Sequence, residues 1–230
     1  VDKAAESFDQ AIDISEKLIS DHSDHEQRPI WQTQLAEQLL FESLGTLHRN
    51  AGLFYEFGVP TAQQLAVYEQ IVPRSLELLE DADVRFFKLQ SELPKDPDHT
   101  EKRIDTGLWD RMINQFYNVR TQFLLAHALY DTWQLPDSHP YFQNLGNNPR
   151  IVRQQKTIKD ERSRLLALAT ERLESLLIGG KAQQWNIALA CECLLGRVLG
   201  ARKMGDQALA RLQKVMDAKQ SNLLDLTARL

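Results

Sequence analysis

Cysteine is scarce in this chain, with only Cys191 and Cys193 among 230 residues. Two thiols two positions apart on a helix point about 200° away from each other, so they can neither bond together nor share a metal without unwinding it. No disulfide framework and no zinc quartet can be built from them, and two unpaired thiols fit a reducing, cytoplasmic interior slightly better than an oxidising one. Long apolar runs are also missing, since none reaches the ~18 residues that span a bilayer. Missing too are G-x-S-x-G, the P-loop, G-x-G-x-x-G and H-E-x-x-H. With no catalytic set of residues in view, the expectation is a protein that is not an enzyme and needs no cofactor.

What the chain does have is helical periodicity from end to end, with no sustained apolar/polar alternation bounded by hairpin turns. At 230 residues and 43% hydrophobic content it can bury a core without staples. We read it as all-α, a single domain over 1–230. Val1 and Leu230 both fall inside amphipathic patterns, so the segment reads as a piece of a longer protein. The net charge of -5 is unevenly spread: residues 1–26 carry -6 and residues 150–164 carry +4. Such asymmetry is most simply solvated helix faces. The other reading of the basic segment is a phosphate or acidic contact, although nucleic acid is not the partner expected.

Ala4, Phe8, Ala11, Ile12, Ile14 or Ser15, Leu18 and Ile19 predict a first helix ending near Ser20. A second begins near Pro29, carries Trp31, Leu35, Leu39, Leu40 and Leu44, and stops before Gly58-Val59-Pro60. The third, with Leu65, Tyr68, Ile71 and Val72, should break or kink at Pro73 and resume through Leu76, Leu79, Val84, Phe87 and Leu89. The two prolines of Leu93 to Asp98 mark a loop. The longest helix is expected from Thr100 to Trp133. Leu135 to Pro149 reads as an irregular, ordered segment anchored by Tyr141, Phe142 and Leu145. Further helices are expected at about 151 to 177, 182 to 203 and 206 to 219, turning at Gly179-Gly180 and at 204 to 206, with a last one capped by Ser221.

His22-x2-His25 beside Asp21, Asp24 and Glu26 is the one cluster with metal-ligand side chains. Spacing fixes no further ligand from elsewhere in the chain, so a hydrophilic turn is the plainer reading and no metal is expected. His48 and His127 sit among apolar neighbours and read as packed side chains. A more specific signal is the row Arg111, Gln115, Asn118 and Gln122, whose steps of 4, 3 and 4 place them on one helix face. Neutral amides in line can hydrogen-bond an extended peptide, whereas an ordinary solvent face favours Lys and Glu. An exposed face with no partner remains the alternative.

Phe41-x2-Leu44-Gly45-x2-His48, followed by Gly52, has the spacing that lets two short helices close on each other at a small residue. It resembles the first helix of the tetratricopeptide repeat, W-x2-L-G-x2-Y, with Phe for Trp and His for Tyr. Ala4-x3-Phe8-x2-Ala11 resembles the second helix of that repeat. Glu192-x2-Leu195-Gly196-x2-Leu199 with Ala208-x3-Leu212 keeps the glycine-to-alanine interval without the aromatics. Gly45 and Gly196 lie 151 residues apart, not a multiple of the 34-residue repeat, so any array between them carries insertions.

The resemblance implies antiparallel helical hairpins stacked as a TPR-like right-handed α-solenoid, with Gly45 and Gly196 at helix crossings. It also implies a protein-interaction or scaffold module that binds a partner peptide or helix in its concave face. The groove residues it implies are Glu42, Thr46, Arg49 and Asn50, with Cys193 and Arg197 in the last hairpin. Members that clamp a terminal carboxylate carry Lys and Asn where this chain has Glu42 and Thr46, so that mode is not expected. The alternative is a helical enzyme or regulatory domain with a small-molecule pocket near the 135–149 loop.

Overall fold

The computed structural model describes residues 2–43, 62–92, 104–145 and 157–218. Among them every regular element is helical and no strand occurs. The chain falls into two compact units, residues 1–124 and 125–230, within what periodicity reads as one helical domain.

The first unit begins with α1, Asp2–Asp21. Of the two inward candidates on α1, Ser15 is the half-buried one, its hydroxyl donating to the Ala11 carbonyl at 2.8 Å, while Ile14 is 68% exposed. After a turn, α2 spans Arg28–Glu37, with Pro29 in the first turn, where its missing N–H removes no helical hydrogen bond. It runs directly into a π-helical turn, Gln38–Ser43, which the amphipathic pattern did not foretell. Next comes α3, Ala62–Glu92, with Pro73 inside it. Of the break or kink expected at Pro73, the break is not made. An interior proline costs about 3 kcal/mol, and Val72, Leu76, Leu78 and Leu79 are all buried on either side of it. At about 1.5–3 kcal/mol per buried aliphatic side chain, keeping one continuous face against α2 outweighs the lost bond.

Polar groups seam this unit together. Asp81 on α3 receives Gln32 Nε2 at 2.7 Å and Arg85 Nε at 3.0 Å. Arg28 lies 3.7 Å from the same carboxylate. The helix α4, Ile104–Gln134, is 31 residues long, the same length as α3. It meets α2 where the buried hydroxyls of Thr33 and Thr121 touch at 2.7 Å. Each hydroxyl also lies 2.7 Å from the carbonyl one turn back on its own helix, so neither is a buried orphan.

The second unit takes α4 from Leu125 onward, then a segment that includes the short helix α5, Pro140–Gln143. The helix α6, Ile158–Ile178, starts at Thr157, whose hydroxyl accepts from Asp160 N at 3.1 Å. It ends at Gly179 and Gly180, where Gly180 has a φ of 68° that a side chain would resist. The helix expected from 182 to 203 is in fact two, α7 at Lys181–Gln184 and α8 at Ala188–Ala201. Between them Asn186 is left-handed, with φ 55°, and the amides of Asn186 and Ile187 return to the carbonyls of Gln183 and Ala182 at 3.1 and 2.9 Å. This is a Schellman closure, which asparagine tolerates. The same closure ends α8, where Lys203 is left-handed at φ 62° and Met204 N reaches Leu199 O at 2.9 Å.

The last helix, α9, is Gly205–Asp217. Its contacts with α8 run in reverse order. A Cβ on Gly200 would lie 4.0 Å from that of Ala208, and farther along Lys214 Nζ reaches Glu192 Oε1 at 2.9 Å. The pair is thus an antiparallel hairpin. Gly196 sits at a close approach of the two helices, as expected of it, because a Cβ there would lie 2.6 Å from Leu212 Cγ. Leu44, Gly45, His48, Gly52, the 58–60 and 93–98 turns, 146–149 and the helix expected from Ser221 lie outside the described residues.

Candidate functional site

The amide row lies on α4 within the first unit. Gln115 is exposed, while Arg111, Asn118 and Gln122 are half-buried. Gln122 donates through Nε2 to Asp83 Oδ1 of α3, so its amide is already engaged. Other polar residues of α4 serve the contact with α2: Gln34 Nε2 donates to Tyr117 Oη at 2.8 Å, and Arg120 Nε donates to Glu37 Oε2 at 2.6 Å. The part of the row left facing solvent is centred on Gln115. Exposed apolar side chains lie in the same unit, Val84 and Phe87 on α3 and Met112 on α4, with Phe87 75% exposed.

The groove residues implied by the resemblance are only partly described. Thr46, Arg49 and Asn50 lie outside the described residues. Glu42 belongs to the π-helical turn by its backbone, and its side chain is not described. In the second unit Arg197 lays its guanidinium over the Tyr130 ring, 5.3 Å from the centroid, and Tyr130 stacks on Trp133 at 5.7 Å. Cys193 has to be corrected. It is 3% exposed and packs with Val215, Leu212 and Met216 of α9, so the hairpin covers it and it offers nothing to a groove. Burial raises its thiol pKa, with the Arg197 charge pulling the other way. Burial, helped by the charge of Glu192, pushes the Cys191 thiol up to about 12. Neither has the depressed pKa of a nucleophile.

Tyr141, Phe142 and Leu145 do anchor the segment after α4: Phe142 and Leu145 are buried, and Tyr141 Oη donates to Glu161 Oε1 at 2.6 Å. Glu161 is fully buried and also takes Arg164 in a bidentate pair at 2.6 and 2.8 Å. Arg162 lies 4.5 Å over the Phe142 ring and donates to the carbonyls of Trp133 and Leu135 and to the Asp137 carboxylate. Two of the six bases of residues 150–164, read most simply as solvated, are thus spent inside the unit. Arg150, Arg153 and Lys156 lie outside the described residues.

His22 and His25 lie in the exposed turn before α2 and gather around Trp31, His25 stacked at 4.8 Å and His22 edge-on at 6.2 Å. Among the described residues no three His, Cys, Asp or Glu side chains are arranged to hold a metal ion. No described helix is long and apolar enough to cross a membrane. One pair was passed over in the sequence. His127 Nδ1 and Asp131 Oδ2 are 2.8 Å apart on one face of α4, the histidine half-buried and the aspartate buried, and the i, i+4 spacing could have signalled it.

No protein-family model, no curated protein and no solved structure matches this chain. The likeness to tetratricopeptide repeats therefore rests on the chain's own residues.

Proposed function

We propose that this chain is a protein-interaction or scaffold module, a TPR-like array of stacked helical hairpins that holds a peptide or helix of a partner protein in a concave face. The observation that carries this reading is the exposed amide of Gln115 in line with Arg111 and Asn118 on α4. An amide side chain both donates and accepts, which is what an extended peptide backbone requires of its host. The close approach of α8 and α9 at Gly196 lends the hairpin part of the reading local support.

The test is capture of a partner by the immobilised chain, followed by a titration comparing the original protein with the double variant Gln115→Ala, Asn118→Ala. Each hydrogen bond lost to a bound peptide is worth about 0.5–1.5 kcal/mol, so affinity should fall several-fold to about a hundred-fold at an unchanged unfolding midpoint. Undiminished binding would remove the row from the recognition surface. Loss of folding would make it a structural feature instead.

A further inference from the structure

We draw no further inference here: the strongest candidate, the exposed apolar pair Val84 and Phe87 one turn apart on α3, is an unpartnered helix face, and nothing in the structure shows what covers it.

Discussion

Gly196 of α8 stands where Leu212 of α9 leaves no room for a side chain: a Cβ there would lie 2.6 and 2.7 Å from the leucine Cγ and Cδ2, and 3.3 Å from the carbonyl oxygen of Ala208. Leu212 is itself packed against the buried Cys193 and Val215, which limits how far it can swing aside, and the carbonyl adds a lesser, tighter-than-usual contact. Gly196→Ala should therefore destabilise the chain by about 1–3 kcal/mol through overpacking, even though alanine is the better helix former. Urea denaturation would show it as a lower midpoint. In a Leu212→Ala background the same change should cost much less, and equal costs in both backgrounds would place the strain elsewhere.

Lys203 adopts a left-handed conformation that costs a side-chain-bearing residue about 1–2 kcal/mol. Glycine escapes that strain and gives back roughly 0.5–1 kcal/mol in unfolded-chain entropy. Lys203→Gly should accordingly raise the unfolding midpoint by a modest amount. A lower midpoint would mean that the lysine side chain stabilises the turn in some other way.

Glu161 has no access to water, so the Tyr141 hydroxyl is a partner that solvent cannot replace. Tyr141→Phe removes that donor while keeping the ring, and should cost about 1.5–3 kcal/mol, the range for a hydrogen bond to a charged group. Limited proteolysis between Leu135 and Leu145 should quicken in the same variant. Unchanged stability together with unchanged cleavage would show that Arg164 alone satisfies the carboxylate.

Asp81 ties stability to acid. Burial works to raise its pKa, but the hydrogen bonds from Gln32 and Arg85 and the charges of Arg85 and Arg28 together hold it below the ordinary carboxyl value of 3.8. A carboxyl depressed in the folded state favours folding above its unfolded pKa, and that contribution is lost as pH falls through the folded one. The stability gap between the original chain and Asp81→Asn should be widest near neutral pH and close progressively below about 3.8. A gap of constant size from pH 7 to the acid limit would rule this linkage out.

Cys191 and Cys193 should both resist a thiol reagent in the native chain at pH 8, because both are buried and Cys191 stays protonated until about 12. Addition of denaturant should release both at once. Fast labelling of either one without denaturant would show that α8 opens on its own.

The local parts of the fold were legible in the sequence. Gly180 marked a turn that needs a left-handed residue, Phe142 and Leu145 marked a segment with apolar area to bury, and Gly196 marked a close crossing. What escaped depended on atoms distant in the sequence or on backbone closures that residue type reveals poorly. Lys203 looks like an ordinary helix-ending base, and Asn186 sits between Trp185 and Ile187, which continue an apolar pattern. Pro73 shows its local cost in the sequence, but not the burial on either side of it that outweighs that cost. The repeat resemblance implies an open face for Cys193, while its burial is decided by α9. Of the candidate site, only the face shared by Arg111, Gln115, Asn118 and Gln122 could be read ahead, because helical phase fixes it. That Gln122 is engaged by Asp83, 39 residues away, could not.

Arg162 gives the end of α4 a property that none of its own residues supplies. The last carbonyls of a helix have no intrahelical donor, and here that of Trp133, together with that of Leu135 just past the helix end, is met by a guanidinium 29 and 27 residues later. The helix thus borrows its terminus from a segment synthesised after it. Removing the Arg162 guanidinium would leave those two carbonyls to be met by water, so part of what ends α4 is carried on α6.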